Sequence, residues 1–504
     1  MNPTPPSDPT LEHLRAQFAT GNVEGARRAL MQLSPQGRSE LEARLGAPAV
    51  ARMMQTSRRS RGRINGRVVV IHGIMGGKLA TIDGSGDEDL AWVNVLRLAL
   101  GRIGDFELNA NGDQVDPALR VVTRGLLDEY MALVLELGQR WEVLPVAFDW
   151  RLDIDRSADA LNDAIRAWAG NEPVHIVAHS MGGLVSRRFM QLHRDTWQGM
   201  KDANGMQQGG RLVMLGTPNR GSFAIPFVLT GEEKTVRWLE VFDLPHDMPA
   251  LLRIINSFPG SYQMLPSPKL GIDDDRTKLF AQATWGRFPV LQANLDRGRS
   301  FQETLHPVDD PDRLIYVAGY DQPTPYRIRV DAPGRFSYQE TLDGDGRVPH
   351  ELGLLPGVPT FYVREMHGDL PANEKVLAGI HELLSTGTTT ALDPQKPAKR
   401  AMLVAAQWRK SSEIAPVDPA ITASIALPTV ATPVWSWLPD GRCSSRTAAT
   451  ATAVARFTWS TNRMPGCWPV PRRVRPTARC TAAAMVASTS GSTDTGVGST
   501  VSLA

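Results

Sequence analysis

The run Val174-His175-Ile176-Val177-Ala178-His179-Ser180-Met181-Gly182-Gly183-Leu184 constrains the chain more than any other stretch. A β-branched segment ends in small–x–Ser–x–Gly, and a helical pattern over Gly182–Arg194 begins at once. Small residues are needed there because the serine backbone is strained and strand and helix pass close on either side. Such a turn pushes the hydroxyl toward solvent, while the helix N-terminus behind it favours developing negative charge. The pentapeptide alone is common by chance. Between a strand and an amphipathic helix it reads as a nucleophile elbow rather than a structural serine.

The surrounding text repeats the strand–helix alternation. Short β-branched runs occur at Val68–Ile71, Val143–Phe148, Val174–Val177, Leu212–Leu215, Leu314–Ala318 and Thr360–Arg364. Helical patterns occur at Ser157–Ala169, Gly182–Arg194 and Asn373–Leu384. Nearly continuous apolar strands between amphipathic helices predict an α/β fold with a mostly parallel central sheet covered on both faces. The interval from Gly221 to about Arg313 breaks the rhythm and reads as an inserted helical cap or lid. Its Trp238, Leu239 and Phe242 suit either an interfacial face or the cap's own core.

Three divisions are expected: a helical segment over 1–60, a catalytic domain over 61–390 with the cap at about 221–313, and a linker and tail over 391–504. In the first, Asn22 caps one helix and Ser34-Pro35 starts another that ends at Gly46; its protein partner is not legible. The basic stretch Arg58–Arg67 reads as a solvated linker. Beyond Ile414 lysine and glutamate vanish, and eight arginines and three aspartates remain among Ala, Thr, Ser and Pro. The tail is expected to be disordered or frameshifted, without a function.

Composition closes off other classes. A net charge of +2 gives no general pull toward nucleic acid. No run approaches the roughly 18 apolar residues of a membrane span, and no export signal is visible, so a cytoplasmic location is expected. Cysteines occur only at 443, 467 and 480, which excludes a thiolate nucleophile and a Cys-rich zinc site in the catalytic part. No metal-ligand spacing stands out, and no cofactor is required.

A serine hydroxyl needs a base, and the base needs an acid to hold its tautomer. In the α/β-hydrolase fold the partners follow in the order Ser, acid, His. His367 follows the last strand at the start of a loop, whereas His246, His306 and His350 precede that strand, and His193 and His381 lie in helices. Asp345, in the turn Asp343-Gly344-Asp345-Gly346-Arg347-Val348-Pro349, is the expected acid, with Asp343 in reserve. Val68-Val69-Val70-Ile71-His72-Gly73-Ile74-Met75-Gly76-Gly77 is a strand entering a glycine-rich turn. The backbone amides of Ile74 and Met181 are therefore expected to form the oxyanion hole. A P-loop is disfavoured, since Gly77-Lys78 is followed by Leu79.

With these residues assembled, the chain resembles the lecithin:cholesterol acyltransferase family from about Arg67 to Leu384. His72-Gly73-Ile74-Met75-Gly76 is similar to its Pro-Gly-x-x-Gly oxyanion loop, with His in place of Pro. Phe148-Asp149-Trp150-Arg151 looks like its Tyr-Asp-Trp-Arg segment, and Gly216-Thr217-Pro218-Asn219-Arg220-Gly221-Ser222 like its Gly-Thr-Pro-x-x-Gly-Ser turn. Ser257–Pro266 is similar to its lid-side segment, and Gly344–Pro349 to its Gly-Asp-Gly-Thr-Val-Pro acid turn, which favours Asp345 over Asp343. The resemblance implies acyl transfer through an acyl-serine, with a phospholipid or acylglycerol ester as substrate and water or a lipid hydroxyl as acceptor. Transient membrane-surface contact through the cap is expected if Trp238, Leu239 and Phe242 form an interfacial face. His72, Trp150 and Arg220 are the candidate substrate-binding residues, although Asp149-Trp150-Arg151 suits a buried structural cluster equally and Arg220 suits a plain surface charge. Lacking the family's lid cysteines, the chain suits an esterase or phospholipase of bacterial type. The rival expectation is a catalytically idle lipid-binding or scaffold module on the same fold.

Overall fold

A computed structural model describes residues 8–92, 97, 100–203, 205–233, 236–237, 239, 245–396 and 408–410, with four short strands beyond them. The chain divides into two compact units. The first comprises Met1–Asp418 with Pro428–Ala451 and holds everything discussed below, including the strand pair Val434–Trp437 and Cys443–Arg446. In the second, Pro419–Leu427 with Thr452–Ala504, the described residues are the pair Ser424–Ile425 and Ala455–Arg456. The rest of the expected tail lies outside the described residues.

Six strands form one sheet in the order β11-β8-β7-β6-β1-β5, every neighbouring pair parallel. They are β1 (Gly66–Ile71), β5 (Trp141–Val146), β6 (Val174–His179), β7 (Leu212–Leu215), β8 (Leu314–Gly319) and β11 (Thr360–Val363). All six correspond to the apolar runs read from the sequence. In β6, β7 and β8, buried at every position, the lack of polar alternation follows from burial on both faces, whereas the edge strands β5 and β11 are more exposed at alternate positions. Val69, Ile71, Ile176, Leu212 and Met214 join one core with the helices Ile154–Ala169 and Met181–Leu192 and the cap. Val68, Val70, Val177, Val213 and Leu215 join the other, against Met131–Leu137, Glu374–Thr386 and the N-terminal helices.

Two antiparallel additions were not foreseen. The strands β2 (Gly77–Ile82), β3 (Glu88–Trp92) and β4 (Arg120–Leu126) form a small sheet between β1 and β5 in the chain. The hairpin β9 (Thr324–Ala332) and β10 (Arg335–Thr341) lies between β8 and β11, and Arg409–Lys410 pair with β10. The catalytic unit also continues past 390, since Asp393 exchanges backbone hydrogen bonds with Tyr362 of β11.

The N-terminal residues form four helices, α1 (Pro9–Ala19), α2 (Val23–Met31), α3 (Pro35–Leu45) and α4 (Ala47–Arg58). Asn22 and Ser34 cap α2 and α3, each side chain accepting an amide hydrogen bond three residues on. Leu11, Leu14, Phe18, Leu30 and Val50 are buried in the core beneath β1, so these helices form one face of the catalytic unit. Asp128 fastens them. Its fully buried carboxylate accepts from Arg15 at 2.7 and 2.9 Å, with Lys78 at 3.6 Å and Arg44 at 3.8 Å. Burial alone would raise its pKa, but Lys78, Arg15 and Arg44 outweigh that and hold it below the usual carboxylate value.

Removing one partner of a buried ion pair typically costs about 3–5 kcal/mol, so Asp128→Ala should lose stability on that scale in denaturant unfolding. Because the folded pKa is depressed, this stabilisation is complete above about pH 4 and fades as pH falls through the depressed value. The acid-side slope of stability should therefore be shallower in Asp128→Asn than in the wild type.

Candidate active site

β6 ends at His179, and Ser180 follows in a conformation that L-residues rarely adopt, φ 53° and ψ −125°. Its amide donates to Leu215 O at 2.9 Å and its carbonyl accepts from Gly183 at 3.0 Å, which locks the turn to β7 and to the helix Met181–Leu192. Glycines make room for it. A Cβ on Gly182 would lie 2.4 Å from His72 O, and one on Gly73 would lie 2.7 Å from Ser180 Cβ. The expected elbow is present, and the glycine-rich turn expected to bind the oxyanion packs directly on the serine.

The three residues expected to react are brought together. Ser180 Oγ lies 2.8 Å from His367 Nε2, and His367 Nδ1 lies 2.8 Å from Asp345 Oδ2. The second carboxylate oxygen accepts from the amides of Val348 at 2.7 Å and Arg347 at 3.0 Å. Burial alone would raise the Asp345 pKa, but His367 and these two amides hold it low, so the carboxylate stays charged at neutral pH. Asp343, the reserve, pairs instead with Lys396. His193 faces Asp159 at 2.7 Å, His350 faces Gly319 O at 2.8 Å and His381 faces Glu136 at 3.3 Å, so each is engaged elsewhere. Such a chain makes the serine oxygen nucleophilic when the histidine takes its proton.

On the expected oxyanion side, neither the Ile74 nor the Met181 amide donates to another group among the described residues. Met181 opens its helix, where the first amides have no intrahelical acceptor.

His72 and Trp150, two of the candidate substrate-binding residues, are both engaged inside the protein. His72 is fully buried, stacks on Phe148 at 4.2 Å, and uses both ring nitrogens, toward Gly73 O at 2.6 Å and the Phe148 amide at 3.1 Å. It ties the glycine-rich turn after β1 to the segment after β5, and neither ring nitrogen is free. Burial pushes its pKa down to about 4, so it stays neutral. Trp150 is also buried, between Trp92 and Phe258, with its indole N–H on Gly77 O at 3.3 Å. Its neighbour Arg151 holds Asp149 through two hydrogen bonds of 2.6 and 3.0 Å and donates to Phe106 O at 2.8 Å. The segment is structural.

Arg220 is half-buried, and its Nε has no acceptor among the described residues. Of the expected lid face, Leu239 is buried, while Trp238 and Phe242 lie outside the described residues. No helix among the described residues is long and apolar enough to cross a membrane.

Sequence reasoning missed Tyr130. Its hydroxyl meets Gly73 N at 2.9 Å and His179 Nδ1 at 2.8 Å, and His179 Nε2 meets His367 O at 2.9 Å. Tyr130 lies in a short turn without motif or periodicity. The only sequence signal was His179, a polar residue inside a strand that is otherwise apolar apart from His175.

The elbow yields a stability prediction. A non-glycine residue held in such a conformation stores about 1–3 kcal/mol. Ser180→Gly should therefore be more stable than Ser180→Ala by ~1 kcal/mol after glycine's larger unfolded entropy is counted. Equal unfolding midpoints would show that the strain is no larger than glycine's entropic cost.

Residues 127–299 match the model of the lecithin:cholesterol acyltransferase family. This segment contains Ser180 and most of the cap, whereas Asp345 and His367 lie beyond it. No curated protein matches the chain. Among solved structures, a Bacillus licheniformis lipase, BlEst2, is 12% identical, with 65% of this chain and 95% of that one covered and a TM-score of 0.33. The Tle4–Tli4 complex gives 13%, 65% and 100%, with a TM-score of 0.39. A thioesterase of Streptomyces coelicolor, RedJ, gives 13%, 63% and 90%, with a TM-score of 0.30. With its parallel sheet and elbow the chain has the α/β-hydrolase fold, and over residues 127–299 it matches the lecithin:cholesterol acyltransferase family model.

Proposed function

We propose that this protein is a serine hydrolase or O-acyltransferase acting on lipid esters through an acyl-Ser180 intermediate. The observation that carries the reading is the unbroken chain from Ser180 Oγ through His367 to the buried Asp345 carboxylate, both links 2.8 Å long. The family match supports ester hydrolysis or acyl transfer in general, and lipid esters as the substrate class.

In the proposed reaction His367 Nε2 takes the Ser180 proton as Oγ attacks the ester carbonyl. Asp345 keeps the other ring nitrogen protonated and stabilises the imidazolium that forms. The amides of Ile74 and Met181 donate to the oxyanion, a contribution of about 3–4 kcal/mol for each such donor in enzymes of this kind. Collapse of the tetrahedral intermediate breaks the ester C–O bond, and His367 gives its proton to the departing alkoxide. Water, or a lipid hydroxyl, then attacks the acyl-serine with the same base and releases the acyl group. Arg220, lacking a carboxylate partner among the described residues, suits an anionic head group.

An idle scaffold has no use for a strained serine with both partners in place, which is why the catalytic reading is preferred. The test is hydrolysis of p-nitrophenyl butyrate and palmitate. Ser180→Ala and His367→Ala should each lose at least ~10³-fold in kcat, with a comparable fall in Asp345→Asn. Preference for the long chain would support a lipid substrate. Folded wild type that hydrolyses neither ester would overturn the reading.

A further inference from the structure

Four hydrogen-bonding groups beside the elbow form a chain whose polarity is fixed by chemistry. The Gly73 amide can only donate, so Tyr130 Oη accepts from it at 2.9 Å. At the other end the His367 carbonyl can only accept, so the His179 nitrogen 2.9 Å away, Nε2, carries its ring proton. His179 Nδ1 is then a lone pair, and the Tyr130 hydroxyl donates to it at 2.8 Å. The sequence Gly73 N–H, Tyr130 O–H, His179, His367 carbonyl runs in one direction with every hydrogen used.

Its ends matter. Gly73 packs on Ser180 and immediately precedes Ile74, whose amide is the proposed oxyanion donor. The His367 carbonyl belongs to the residue whose ring faces Ser180. Tyr130 also fills the concavity of the oxyanion loop, where a Cβ on Gly76 would stand 2.8 Å from its hydroxyl. Both side chains are buried, and burial with His367 nearby pushes the His179 pKa down to about 3, consistent with a neutral ring.

We propose that Tyr130 and His179 are positioning residues that tie the oxyanion loop to the loop bearing the base, setting both against Ser180 together. This rests on the serine-hydrolase reading. Neither residue touches substrate. The relay acts by holding two groups that must be aligned at the same moment, and misplacement of such groups typically lowers rates by up to ~10²-fold.

The experiment measures p-nitrophenyl butyrate hydrolysis by wild type and Tyr130→Phe, with active sites titrated by a fluorophosphonate. The expected result is a fall of ~10- to 100-fold in kcat per titrated site with KM changed less than about twofold. A purely structural role would lower the titrated fraction and leave kcat per site unchanged. That outcome, with active wild type, would overturn the inference while leaving the hydrolase reading intact. Wild type that neither titrates nor turns over would overturn both. Nitrogen-15 NMR of the wild-type histidines tests the relay without a variant: His179 should be neutral and protonated on Nε2 between pH 6 and 8 (about the range in which a free imidazole titrates). A charged ring, or protonation on Nδ1, would overturn the proposal.

Discussion

The backbone of Ser180, held at φ 53°, is the constraint around which the neighbouring segments are arranged. A residue in that conformation turns its side chain out of the sheet only if nothing occupies the space its neighbours would fill. Hence the glycines at 73, 182 and 216. At the last, a Cβ would stand 2.9 Å from the Asp345 carboxylate and 3.1 Å from His367 Nδ1. The strain is held by β6, buried along its whole length, and by the Ser180 amide bond to Leu215. Local cost is thus carried by the buried interior of the parallel sheet.

The N-terminal helices enter this picture through Asp128. That carboxylate gathers Arg15 from α1, Arg44 from α3 and Lys78 from β2, and stands two residues before Tyr130. The segment therefore joins the helical layer on one side of the sheet to the loop beside the nucleophile. Arg187 performs a similar task on the cap side. It is buried, has no carboxylate in hydrogen-bond reach among the described residues, and donates to Asn219 O, Leu305 O and Pro307 O at 3.2, 2.7 and 3.0 Å, fixing the point where the cap returns to the sheet.

The central sheet was legible because β6, β7 and β8 are buried at every position and so appear as largely apolar runs, flanked by β-branched and aromatic segments at the edges. Ser180, Asp345 and His367 were legible because turn chemistry and chain order restrict them to strand ends. The two antiparallel additions were not, since the residues of β4 and of the β9–β10 hairpin are largely half-exposed and charged, as in Arg327-Ile328-Arg329-Val330-Asp331. The surroundings of His72 and Trp150 were not legible for a related reason. Proximity to a motif shows that a residue lies near the site but not which way its side chain faces, and both are used up inside the protein. Tyr130 acts through a contact between residues 49 positions apart in the chain, which no local pattern records.

The most direct test of the central claim is mass spectrometry of peptides from the protein after reaction with a fluorophosphonate. The account predicts a single phosphonyl adduct on the peptide containing Ser180, absent after prior denaturation and absent in His367→Ala. An unmodified Ser180 in folded protein, or an adduct on a different serine, would contradict it.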